Sequence, residues 1–241
     1  MRFVRTSLLP LTALVLLSGC SGAADPAPAT GPAARAHAAD DTPTPDGPSP
    51  KPTPVDIRAL TSAELQHQWW NWAGSTPTER NPVVDPDGRD CAEGQPEGIW
   101  MLAGTFGGTV TRTCAVPAGI PILFPLVNTY GESSDCLAFM NDARGSAVLD
   151  GTALRVEELG ATQIRAEGVP NSPVRGHRDF NDSWACGLWV RLDGLTPGRH
   201  EIVLRGGSGT FSTGVDYRLT ATEDPAAVSK SQADRTGPPS V

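Results

Sequence analysis

The amino-acid sequence predicts a mainly β domain, a β-sandwich or jelly roll with one or two short helices, between an N-terminal tether and a polar C-terminal tail. Three observations carry this. Short apolar runs with period-two alternation recur at regular spacing through the last two thirds of the chain. Turn chemistry separates them: Thr105-Phe-Gly-Gly, Asp150-Gly151 and Thr196-Pro197-Gly198. Helical patterns, by contrast, are only brief.

The order along the chain begins with Arg2 and Arg5 and the apolar run Leu8–Leu17, too short to span a bilayer and shaped like a secretory leader. Its end, Leu17-Ser18-Gly19-Cys20, resembles the bacterial lipoprotein cleavage box. The resemblance implies removal of residues 1–19 and diacylation of the Cys20 thiol. Residues 20–56 then form the expected tether, since Ser21–Asp56 holds nine prolines in 36 residues and no apolar periodicity. Residues 57–222 are long enough for one independently stable domain, and 223–241 are polar and proline-containing.

Within the domain, Thr61-Ser62-Ala63-Glu64 fits a capping box ahead of LQHQWWNWA, with Gly74 as the stop. Leu65, Trp69 and Trp72 share one helical face, and Trp70 lies beside that stripe. Asp85, Asp87 and Asp90 surround a turn at the odd spacing with which calcium loops present oxygens to a hard cation. Arg89 in the third ligand position and Pro96 in the place of the closing Glu depart from the EF-hand pattern, and a turn ahead of Cys91 accounts for the same residues. Ile99–Gly104, Thr109–Val116 and Ile120–Val127 predict a three-strand meander whose first hairpin turns at Thr105–Gly108. Pro121 and Pro125 make the third strand an edge or a bulged one.

Cys136–Ala143 suggests a helical turn or two ended by Gly145, and Val148–Leu154 a hairpin turning at Asp150-Gly151. A strand is expected near Ile164 and a polar loop after Val174. Trp184, Cys186, Leu188, Val190 and Leu192 alternate, placing Trp189 and Arg191 on the opposite, outward face. His200, Ile202 and Leu204, and then Val215, Tyr217, Leu219 and Ala221, define two further strands.

Cysteine usage agrees with export. Apart from Cys20 the chain has Cys91, Cys114, Cys136 and Cys186, an even number in an oxidising compartment, which reads as two disulfides. Three connectivities are possible; Cys91 to Cys114 and Cys136 to Cys186 is the favoured one, because the chain folds back before Ile99. There is no C-x-x-C pair and no His at ligand spacing, so a metal centre is not expected.

The segments WWNW, NPVVDPDGRDC, GIWMLAG, RTCAVPAG and FPLVN, with the closing GLTPGRHEIVLRGG and VDYRLTA, resemble a family of functionally uncharacterised exported bacterial proteins and lipoproteins. The resemblance spans about Gln68 to Asn128 and Trp184 to Ala221. It implies a fold and an extracytoplasmic address, and it carries over no catalytic residue.

Charge restricts the partners. Loss of Arg2 and Arg5 from the 19 basic residues leaves 17 against 27 acidic ones, a formal charge of −10. That repels a phosphate backbone, so nucleic acid is not an expected partner. No His stands in a nucleophile frame: His37 is in the tether, His67 on the tryptophan helix, His177 in the polar loop beside Asp179, and His200 in a strand. The glycines of Thr105–Thr109 lack the Lys and Ser or Thr of a phosphate loop.

The expectation is therefore a cofactor-free binding or structural protein of the bacterial envelope. The membrane is its partner through Cys20, with cell-wall glycan or another envelope protein as ligand. Trp70, Tyr130 and Trp189 are the candidate exposed aromatics of a glycan platform, and Asn128–Glu132 the rim where a strand releases a polar loop. A hydrolase built on loop carboxylates such as Glu132 with His177 is the alternative.

Overall fold

The computed structural model describes residues 52–174, 183–224 and Val228, which all fall within the unit Pro48–Val241. Cys20, the tether before Pro52, His177 with Asp179, and all of the tail after Asp224 except Val228 lie outside the described residues. Among the described residues no helix is long and apolar enough to cross a membrane.

The domain is a sandwich of two mixed sheets. One has four strands in the order β1–β3–β7–β6: β1 is Trp100–Met101, β3 Ile122–Gly131, β6 Glu157–Ile164 and β7 Ser183–Leu192. The other has five in the order β2–β9–β8–β4–β5: β2 is Gly108–Pro117, β4 Arg144–Leu149, β5 Thr152–Ala153, β8 Gly198–Ser208 and β9 Phe211–Thr222. Helix α1, Ser62–Gly74, begins with the expected capping box: Thr61 accepts from the Glu64 N–H, and the Glu64 carboxylate accepts from the Thr61 N–H. Helix α2, Ser133–Asn141, follows β3.

Two apolar layers result. Ile122, Phe124, Leu188 and Val190 face Val116, Ile202, Leu204, Val215 and Leu219 between the sheets. On the other side of the four-stranded sheet, Leu123, Ala185 and Trp189 form a bed for Leu65, Trp69, Trp72 and Ala73 of α1. β7 is thus buried on both faces, and Trp189, expected on an outward face, is fully buried. Its ring meets Trp69 edge to face, with centroids 5.7 Å apart. The physical reason is the three-tryptophan helix, which needs an apolar floor as wide as itself. Trp69 and Trp72 also donate their Nε1–H groups to the carbonyls of Leu102 and Glu93.

The expected meander is not formed. β1 runs parallel to β3, whereas β2 belongs to the other sheet and runs parallel to β9. Residues 102–107 therefore carry the chain from one sheet to the other instead of turning a hairpin. A glycine-rich link permits either course, and the deciding contact, described below, is made by Arg112. β3 is an interior strand with β1 and β7 as neighbours, and its register slips between Pro125 and Val127, a bulge at the proline that cannot donate.

Elsewhere the local signals are realised. Asp150 and Gly151, at φ 49° and 83°, form the two-residue turn between β4 and β5. Both disulfides pair as favoured, Cys91–Cys114 and Cys136–Cys186, with Cα atoms 6.0 and 5.8 Å apart. The first is not a hairpin crosslink, however. It pins the 85–95 loop along the free edge of β2, where Thr113 N–H donates to the Asp87 carbonyl. The second ties α2 to β7.

Trp189→Ala should remove about 3–5 kcal/mol of folding free energy, because it empties a site filled from two sides. Urea denaturation checks this; a loss below about 1 kcal/mol, as for a surface tryptophan, would contradict the two-sided burial.

Candidate functional site

The crossover between the sheets is held by a buried cation. Arg112 occupies an inward position on β2 and is 1% exposed. Its Nε donates to the Asp85 carbonyl at 2.7 Å, Nη2 to the Val83 carbonyl at 3.0 Å, and Nη1 to the Ala103 and Gly104 carbonyls and the Tyr217 hydroxyl. Tyr217 in turn donates to the Ala103 carbonyl and accepts from the Ala103 N–H. Thr105 N–H donates to Thr213 Oγ1, so the crossover is also fastened to β9. These bonds leave Phe106 projecting at the end of the sandwich.

Phe106 stands between two hollows. The first, of about 80 Å³, is lined by Trp69 and Trp70 of α1, Val83, Gly104–Phe106, the β3 bulge Pro125–Asn128, Val174, Phe211 and Thr213. The second, of about 270 Å³, lies on its other side against Val83–Pro86, Thr105–Gly107, Val110 and Arg112. Among the described residues, Val84, Phe106 and Phe211 are three of the four large apolar side chains that remain exposed. All three line these two hollows. Asn128 brings one polar group, Nδ2, which is buried without a hydrogen-bond partner among the described residues.

The sequence candidates separate on this frame. Trp70 and Asn128 line the first hollow, and Tyr130 packs edge to face on Trp70 with centroids 4.8 Å apart while donating to the Val174 carbonyl. Trp70 is nevertheless only 5% exposed and Trp189 not at all, so the glycan platform built on those two rings is not present. Glu132 is exposed and precedes α2, with its N–H donating to Asp135, outside the hollow. His177 lies outside the described residues.

Two aspartates of the calcium candidate have local partners. Asp85 accepts from the N–H groups of Asp87, Gly88 and Asp90. Asp87 pairs with Arg89. No group of three or more His, Cys, Asp or Glu that could hold a metal occurs among the described residues. Asp85 and Asp87 thus hold the turn ahead of Cys91 through these bonds.

No family model and no curated protein matches this chain. Among solved structures it is similar to the solution structure of amebosin at 11% identity and a TM-score of 0.19, over 46% of this chain and 96% of that one. A likeness of that size carries neither fold nor function.

Two outcomes test the frame around the site. Arg112→Lys should cost about 3 kcal/mol in urea denaturation, because an ammonium cannot reach the carbonyls of two loops and the Tyr217 hydroxyl together and leaves buried acceptors unpaired. A change under 1 kcal/mol would show that the fork is dispensable.

Asp90, 7% exposed beside Asp85 and Glu93, is pushed by burial and then by those neighbours from 3.8 up to about 6. The folded state thus binds the proton more tightly than the unfolded chain. Stability from this group is fully present below about pH 4 and is lost as pH rises through about 6. Asp90→Asn should therefore raise stability by about 1 kcal/mol at pH 7.5 and make little difference at pH 4, by denaturation at both pH values. A penalty at pH 7.5 would reverse the assignment.

Proposed function

We propose that this chain is a lipid-anchored extracytoplasmic binding protein of the bacterial envelope, related to the exported family that its sequence resembles. Its folded domain receives an apolar side chain of a partner protein against Phe106. The observation that carries this is the gathering of Val84, Phe106 and Phe211, exposed, around two hollows at one end of an otherwise well-packed sandwich. An aromatic that stands out between hollows offers a partner an anchor to enclose and slots to fill. The smaller hollow, at about 80 Å³, is far below the size of pockets that enclose a small-molecule ligand. The Leu17-Ser-Gly-Cys20 box supports the anchor, and the two disulfides agree with an oxidising compartment.

The test is made in cells. A photo-crosslinking amino acid at Phe211 should yield one discrete adduct with an envelope protein, and Phe106→Ser in the same chain should abolish it. Phe106→Ser is expected to change stability by no more than about 0.5 kcal/mol, since the ring is 58% exposed. Absence of an adduct, or an adduct indifferent to Phe106→Ser, would overturn the reading. For the anchor, Cys20→Ser should move the chain from the membrane fraction to the medium or periplasm.

A further inference from the structure

At the far end of β9, the outer face of the five-stranded sheet holds a different kind of hollow. It measures about 510 Å³ and is lined by Thr113, Asp150, Arg199, His200, Arg218 and Thr220, among others. Thr213, in the apolar hollow, and Thr220 are seven residues apart on one strand, so the two places lie about 23 Å apart. In register, Arg199 stands opposite Thr220 and Arg218 opposite Glu201. The two arginines are thus diagonal neighbours on adjacent strands, about 7–8 Å apart, a span that one small anion can bridge.

Neither guanidinium makes an ion pair within the described residues. The nearby Asp150 does not neutralise them, because it is already committed: Oδ2 meets His200 Nδ1 at 2.7 Å and Oδ1 accepts the Glu201 N–H at 2.7 Å. His200 Nε2 meets the Thr196 carbonyl at 2.9 Å. Both ring nitrogens therefore face acceptors, which calls for the doubly protonated ring, and the hydrogen bond to Asp150 raises its pKa accordingly. The hydroxyl of Thr220 adds a neutral donor on the same face. The one acid left uncommitted is Glu201, across from Arg218. On a chain of formal charge −8, two adjacent arginines without an ion pair among the described residues leave local positive charge in this hollow.

We propose that this hollow is an oxyanion site, taking a phosphate or carboxylate group between Arg199 and Arg218. Guanidinium forks on two strands suit a group with several equivalent oxygens, and the Thr220 hydroxyl adds a further donor. Glu201 limits the affinity by repulsion, so its charge is a readout as much as the arginines are.

The experiment uses the full chain carrying Cys20→Ser, which removes any acyl contribution, titrated at low ionic strength with pyrophosphate and, separately, with succinate. One-site binding should weaken about tenfold in each of Arg199→Ala and Arg218→Ala, and strengthen severalfold in Glu201→Gln. Thermal unfolding should be unchanged, because all three side chains are exposed. Phe106→Ser should leave the affinity unaltered, which separates this site from the apolar one. Sedimentation with phosphatidylglycerol vesicles, lost in the double arginine variant, would assign the oxyanion to a lipid headgroup; binding of the small anions without vesicle capture would assign it to a free or polymer-borne group. No binding of any of the three probes, or binding indifferent to both arginines, would overturn the proposal.

Discussion

The structure depends first on how a guanidinium is satisfied away from water. Arg112 has no carboxylate bonded to it among the described residues; its N–H groups go instead to four backbone carbonyls and the Tyr217 hydroxyl. A cation in a low-dielectric interior is tolerated only where dipoles are fixed around it. Those carbonyls have to be free of sheet ladders, which is possible only if the segments bearing them are irregular. Val83–Asp85 and Ala103–Gly104 are such segments, one beside Pro82 and Pro86 and the other before Gly107 and Gly108. The demand of one side chain thereby fixes the course of two loops, sends the chain from β1 into the opposite sheet, and sets Phe106 where it stands.

A second constraint follows from α1. A helix carrying Trp69, Trp70 and Trp72 cannot lie on a polar face, so the four-stranded sheet has to be apolar on both sides wherever α1 crosses it. The uninterrupted run Ile122–Val127 and the burial of Trp189 are two expressions of that need. Among the described residues the outer face of the five-stranded sheet keeps the Thr, Arg and Glu alternation of a solvated surface. The asymmetry leaves exposed apolar side chains at the end where α1, the crossover and β9 meet, and charged ones on the outer face of the five-stranded sheet.

What the sequence disclosed was mostly local. The capping box of α1, the Asp150-Gly151 turn and the alternation of β8 and β9 rest on residues near one another in the chain, and each is present; the two cysteine pairs, 23 and 50 residues apart, follow from the even count and the fold-back of the chain, and they too are present. What it concealed was long-range. The Phe-Gly-Gly link is as consistent with a hairpin as with a crossover, and only the acceptors gathered by Arg112 decide between them. Arg112 itself was hidden because a charged residue between two threonines suggests an outward position, whereas Cys114 and Val116, two and four residues on, share its inward side. Trp189 failed for a related reason: alternation identifies two faces but not whether a helix covers the second. Phe106 and Phe211 did carry a signal, each being a lone aromatic among glycines and threonines, but it marks exposure only once the turn is known to project.

The hollow beside Phe106 is shallow for a reason that bears on what it can bind. At the β3 bulge the two sheets close on each other: a Cβ on Gly206 would run into the Leu126 carbonyl, and one on Gly145 would press on the Leu126 side chain. The sandwich is pinched there by backbone against backbone, so no deeper cavity can open between the sheets without separating β3 from β8. Whatever this end recognises has to be met at the surface, by a group small enough to lie between two phenylalanines and by a partner broad enough to cover them. That geometry suits a protein surface better than an enclosed metabolite, and glycine at 206, with no side chain to hold the sheets apart, is what imposes it.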